Sequence, residues 1–253
     1  MMINDINNRI AKKVSRQIRP MFNRRMLPIN LNKPLVSFTF DDFPQSAITN
    51  GAKILENEGW RGTYYTSAGL AETENHHGKH FNAQELCDLE ARGHEIAGHT
   101  HSHADLTRLS ISESMAEIQT NYDSLKNMGI KSEIKNFAYP YGEVSGRLKK
   151  ALSEKFTSMR GIQDGAHYVS ADLNELKSQA IDSQYNFDKA MKIINGFSKR
   201  PGWLILFTHD IIESPSEWGC TPDKFLQIVN AIKTSGADVL PVSEALTYLE
   251  KTS

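Results

Sequence analysis

From Pro34 onward, short apolar runs alternate with longer stretches whose apolar residues recur at three- and four-residue steps. The first pattern suits buried strands, and the second suits helices that turn one face to a core. Leu35–Phe40 and Trp203–Phe207 are near-continuous apolar runs, as expected for strands covered on both faces. Further strands are predicted over Arg61–Thr66, His94–Ala97, Lys135–Tyr139, Thr157–Ile162, Leu176–Asp182 and Val239–Val242. Helices are predicted over Ser46–Gly59, Asn82–Arg92, Arg147–Phe156, Phe187–Phe197, Thr221 to about Thr234, and Glu244–Glu250.

Local signals sharpen some boundaries. Ser110 and Glu113 have capping-box spacing and open a helix with the stripe Ile111, Met115, Ile118, Tyr122 and Leu125. Gly129 stands where its C-terminal cap belongs, and Gly93 stops the helix before it. Thr221-Pro222 reads as an N-cap followed by proline at the first helical position. Roughly seven strand–helix units without an internal repeat predict an α/β fold, a single barrel or near-barrel.

The first 33 residues, 1–33, stand apart from the barrel of 34–253. Arg9, Lys12, Lys13, Arg16, Arg19, Arg24, Arg25 and Lys33 face a single acid, Asp5. Ile3, Ile6, Ile10, Val14, Ile18 and Met21 mark one helical face, which Pro20 ends or kinks. A basic amphipathic helix over residues 1–25 either lies on an anionic membrane face or packs on the barrel end or a second subunit.

Composition narrows the function. The chain has 253 residues, 39% hydrophobic, with net charge −1, which excludes a generally basic nucleic-acid binder. No run of 18 apolar residues predicts a membrane span. The N-terminus lacks the apolar core of a secretory signal, so a cytoplasmic protein is expected, peripheral at the membrane if the basic helix binds lipid. Cys87 and Cys220 are expected to be free thiols.

Four polar motifs end predicted strands: Thr39-Phe40-Asp41-Asp42, His99-Thr100-His101-Ser102-His103, Tyr139-Pro140-Tyr141-Gly142 and Phe207-Thr208-His209-Asp210. In α/β barrels the reacting groups stand at these carboxyl ends. Asp42, His99 and His103 match the three protein ligands of a catalytic zinc site. Asp41 then stays free to take a proton from the attacking water. His76, His77 and His80 form a second cluster in the polar stretch 72–80, read as a solvated loop.

These residues resemble the polysaccharide deacetylases of the NodB-homology type, carbohydrate esterase family 4. Phe-Thr-Phe-Asp-Asp, Gly-His-Glu-Ile-Ala-Gly-His-Thr-His-Ser-His and Tyr-Pro-Tyr-Gly occur in that family's order, and the resemblance runs from about Leu35 to Leu246. It implies a distorted (β/α) barrel of about seven strands. It also implies Asp41 as base, Asp42, His99 and His103 as metal ligands, and His209 as the acid that protonates the leaving amine. Tyr141, after Pro140, would supply an oxyanion-hole N–H.

There are departures from the family pattern. Ala138 replaces the arginine that steadies the base, and Arg160 is the candidate substitute. Asp182 is the candidate partner of His209. Phe43-Pro44 replaces a glycine, which predicts a bulkier pocket edge. Trp218, in the loop after His209, offers a stacking face to a sugar ring.

The expected activity is hydrolytic N-deacetylation of an N-acetylated sugar, in a surface-polysaccharide or lipopolysaccharide precursor. The expected cofactor is a divalent metal, Zn2+ before Co2+ or Ni2+. The competing readings are a C–N hydrolase of small non-sugar amides and a non-catalytic carbohydrate-binding relative.

Overall fold

The computed structural model describes residues 22–252. The predicted basic helix lies almost wholly in residues 1–21, outside the described residues. The strands are β1 (Met26–Pro28), β2 (Leu35–Asp41), β3 (Thr63–Thr66), β4 (Glu74–Asn75), β5 (Gly78–Lys79) and β6 (Glu95–Gly98). They continue with β7 (Asn136–Ala138), β8 (Ser158–Arg160), β9 (Ser170–Asp172), β10 (Gln179–Ala180), β11 (Trp203–Thr208) and β12 (Asp238–Val239). The helices are α1 (Lys53–Asn57), which continues the π-helical turns of Ala47–Ala52, α2 (Ala83–Ala91), α3 (Ile111–Met128) and α4 (Gly146–Leu152). After them come α5 (Gln184–Gly196), α6 (Pro222–Ser235) and α7 (Val242–Thr252).

Seven parallel strands in the order β10-β11-β2-β3-β6-β7-β8 curl into a half-barrel. Its end strands are drawn together by a bridge between Arg160 and Leu176 and by a Ser178 N–H bond to the Gln163 carbonyl at 3.0 Å. On one edge β2 serves two partners: β12 pairs with Leu35 and Val36, and β3 with Thr39–Asp41. The capping signals read from sequence are present. Ser110 and Asn82 each close a capping box, and Gly129 ends α3 at φ 105°.

Alternation along the strands sorts the side chains. Val36, Phe38, Phe40, Leu204 and Leu206 pack outward against the helices in the largest apolar cluster. The intervening residues face the barrel interior, which is partly polar. There Glu95 accepts from Thr63 Oγ1 at 2.7 Å and from Asn136 Nδ2 at 2.5 Å. Its carboxylate also accepts the Ser243 N–H at 3.0 Å, so a buried acid caps the start of α7 and ties that helix to the sheet. Burial raises the pKa of Glu95, against the pull of these donors.

Residues 23–29, grouped by sequence with the extension, belong to the body of the fold. β1 pairs antiparallel with β9, and Leu27 and Ile29 are buried. The Arg25 guanidinium donates to the Ser153 and Phe156 carbonyls at 3.1 and 2.9 Å, and also to that of Thr157. A three-residue strand carries no period, which is why the pattern hid it.

Lys149 of α4 is fully buried and donates to Asp172 at 2.8 Å and to Glu175 at 3.0 Å. Removing one partner of such a group strands the others without compensation. Lys149→Ala is expected to cost about 3–5 kcal/mol in urea unfolding. A loss under 1 kcal/mol would show that water replaces the ammonium.

Candidate active site

All four motifs sit on one rim, at the carboxyl ends of β2, β6, β7 and β11. The backbone there is strained. Among the described residues, six non-glycine residues have positive φ, and Asp42 (41°), Thr100 (62°), His103 (56°) and Tyr141 (58°) are four of them. Such conformations cost free energy and gather where function needs a particular geometry.

Asp42, His99 and His103 offer ligand atoms that all lie within 4.8 Å of one another. Asp42 Oδ2 is 2.9 Å from His103 Nε2, and Asp42 Oδ1 is 3.9 Å from His99 Nε2. The Nδ1–H of His99 donates to the Ala138 carbonyl at 2.7 Å, which leaves the Nε2 lone pair toward Asp42. Burial lowers the His99 pKa to about 4, so the ring is neutral and able to ligate at ordinary pH. Burial alone would raise the Asp42 pKa, but His99 and His103 outweigh it and hold the carboxyl below the usual range. One carboxylate and two imidazoles converge closely enough to share one ion, so the set fits a divalent ion. The histidine loop is held by Thr100 Oγ1, which accepts the Ala104 N–H at 3.0 Å, and by Ser102, which donates to Glu117.

Asp41 has different partners from Asp42. Its Oδ2 accepts from Arg160 Nη2, and its buried Oδ1 has no hydrogen-bond partner. Arg160 is paired in register with Ala138 on the neighbouring strand. Its guanidinium therefore arrives at the same level from β8 as an arginine at position 138 would from β7. The guanidinium is fully buried beside the Tyr65 and Phe207 rings, at 5.0 and 4.9 Å.

His209 stands on the opposite wall, half-buried. Its Nδ1–H donates to the Trp218 carbonyl at 3.1 Å, so Nε2 is its exchangeable position. Burial lowers its pKa, while Asp41 and Asp42 pull it back up. Asp182 makes no hydrogen bond to His209. It stands just before Ser183, the N-cap of α5, and accepts from the Ser183 N–H at 2.5 Å and from Asn186 Nδ2 at 2.7 Å.

Two further readings change. The stretch 72–80 is a hairpin of β4 and β5 with His76-His77 as its two-residue turn. His77 and His80 are buried, and the His77 ring stacks on His209 at 4.7 Å and 13°. Phe43 is no pocket edge: it is fully buried and stacks on Phe81 at 4.7 Å, beneath the hairpin. Nothing in the local sequence signals either contact, because both depend on where the hairpin lands.

The cavity between these walls measures about 640 Å³. Tyr141 and Trp218 stand at its mouth, 58% and 46% exposed, with the Tyr141 ring 4.3 Å from His103. Pro140 is buried under the turn that presents Tyr141. Asp42 raises the Tyr141 pKa, though less than burial does.

Comparison with known proteins places the fold and the family. A bifunctional xylanase/deacetylase of Pseudobutyrivibrio xylanivorans is 23% identical over 217 residues, 84% of this chain but only 30% of the relative. The structure of the chitin deacetylase from Colletotrichum lindemuthianum superposes with a TM-score of 0.62 at 16% identity, covering 86% of this chain and 89% of that one. A carbohydrate esterase family 4 pseudoenzyme from Bacillus anthracis gives 0.61 at 15% identity, covering 85% and 66%. At these identities the structural likeness speaks for the fold alone. The polysaccharide deacetylase family model, however, matches residues 29–156, just over half of the chain and three of its four rim motifs, and by that match this chain belongs to the polysaccharide deacetylase family.

Proposed function

We propose that the protein is a metal-dependent hydrolase that removes the acetyl group from an N-acetylated sugar. The observation that carries this reading is the carboxylate pair. Asp42 faces two histidines as a ligand, while Asp41 beside it keeps an unpartnered oxygen. A divalent ion held by Asp42, His99 and His103, Zn2+ before Co2+ or Ni2+, supplies Lewis acidity at neutral pH.

The chain's own groups carry the protons. Asp41 Oδ1 accepts the proton of the attacking water while Arg160 holds Oδ2 in place. The Tyr141 N–H stabilises the oxyanion that develops on the acyl oxygen. His209 Nε2 delivers a proton to the leaving nitrogen as the C–N bond breaks. Acetate and the amino sugar result.

A sugar is favoured over a small amide by the size of the cavity and by the aromatic faces at its mouth. No lysine or arginine lines the cavity among the described residues, which suits a neutral ring there. Any phosphate of a surface-polysaccharide or lipopolysaccharide precursor then lies outside it. The basic residues 9–24 suit an anionic membrane face on the cytoplasmic side, where a lipid-linked precursor is met. The non-catalytic reading draws on Ala138 and on the occurrence of this fold in a pseudoenzyme.

Metal analysis with acetate release from a panel of free, lipid-linked and nucleotide-linked N-acetyl sugars separates these readings. One ion per chain with acetate from at least one sugar is expected. Hydrolysis of a cyclic ureide with no sugar turnover would favour the small-amide reading. Sugar binding without metal or turnover would favour the non-catalytic one.

A further inference from the structure

His77 belongs to no motif above, yet it touches the proposed acid. It sits at the tip of the β4–β5 hairpin, where Asn75 Oδ1 accepts its N–H at 2.8 Å. Its Nδ1 lies 2.9 Å from Ser216 Oγ and 3.4 Å from Asp210 Oδ1. The single hydroxyl proton of Ser216 goes to Asp210 Oδ1 at 2.5 Å. Ser216 Oγ must therefore accept from His77, which places a proton on His77 Nδ1 and sets the plane of its ring.

The same hydroxyl oxygen accepts the Trp218 N–H at 3.3 Å, and the Trp218 carbonyl holds His209 Nδ1–H. His209 is thus gripped on its face by His77 and on its edge by Trp218. Both grips run back to Ser216 and to the fully buried Asp210. Asp210 also accepts the Ser216 N–H at 2.8 Å. A Cβ on Gly219 would fall 2.4 Å from this carboxylate, so the loop closes on it only with glycine there.

We infer that His77, clamped by Asp210 and Ser216, is a positioning residue that fixes the direction in which His209 delivers its proton to the leaving nitrogen. The inference rests on the reading of His209 as that proton donor. A histidine that merely filled space would affect every substrate alike. One that aims a proton matters only when the leaving group needs it.

The test compares an N-acetyl sugar with 4-nitrophenyl acetate, whose phenolate leaves without protonation, in wild type, His77→Ala and His77→Phe. His77→Ala is expected to lower kcat on the N-acetyl sugar about 10- to 100-fold, part of what a general acid contributes. KM on the sugar and kcat/KM on the ester should stay within about twofold. His77→Phe, which keeps a flat face, should recover part of the loss. Equal loss on amide and ester, or no loss on the amide, would overturn the inference.

If wild type releases acetate from no N-acetyl sugar, the deacetylase reading fails separately. Nitrogen NMR of the His209 ring still decides the positioning claim. Wild type should show one Nδ1–H tautomer with the ring held in a single orientation, and His77→Ala the same tautomer on a ring broadened by reorientation. An unchanged ring overturns the claim.

Discussion

Asp42→Ala is expected to remove metal and activity together while leaving the fold in place. Asp42 is the hub of the site, since both histidine Nε2 atoms face its two oxygens. Loss of an outer partner of a metal ligand costs roughly 10- to 100-fold in metal affinity, and loss of a direct ligand should exceed that. The backbone bond from His99 to Ala138 survives the substitution, so two ligands stay aimed at a place that no longer closes. Chelator competition followed by metal analysis measures the affinity, and circular dichroism checks the fold. Stoichiometric metal after competition would remove Asp42 from the ligand set and with it the division of labour between the two aspartates.

Asp41→Asn should do the opposite on one axis: metal retained, turnover lost. The amide oxygen still accepts from Arg160, so the side chain keeps its place, but the group can no longer take a proton. A fall in kcat of about 10²- to 10⁴-fold is expected, the range of general acid–base catalysis. Arg160→Ala should reduce kcat as well, because it leaves a buried carboxylate without its charge partner. Full activity in Asp41→Asn, with metal bound, would place the base elsewhere.

Much of the fold was legible because its signals are local. The Ser110–Glu113 capping box, the Gly129 stop and the Thr221-Pro222 start each act within a few residues and hold in the structure. The near-continuous apolar runs of β2 and β11 mark strands buried on both faces, and both are. The motif residues at their ends converge because parallel strands share one direction.

What stayed hidden depends on tertiary placement. β1, β4 and β5 have three residues or fewer, too short for any alternation to register. Polarity made 72–80 look solvated, yet Glu72 N–H bonds the Phe81 carbonyl and folds the stretch over the site. Asp182, the carboxylate expected beside His209, serves the start of α5, while Asp210, the sequence neighbour of His209, serves the loop and the stacked His77. Arg160 could be proposed from sequence only as the nearest unused charge at a strand end. Its pairing with Ala138 across the sheet is what brings its guanidinium to Asp41.

The pairing of β2 also sets the order in which the protein can be made. Thr39 Oγ1 donates to the carbonyl of Leu206, 167 residues further along the chain. The strand that ends in Asp41, with Asp42 just beyond it, therefore lacks its longest neighbour until nearly the whole polypeptide has left the ribosome. Contacts so distant in sequence form slowly, since the intervening loop must first be closed. A nascent chain that already carries Asp41, Asp42 and both histidines still lacks β11 and, at its end, His209. The complete rim, with His209 facing the two aspartates, thus belongs to the end of biogenesis, a stage that products truncated before β11 never reach.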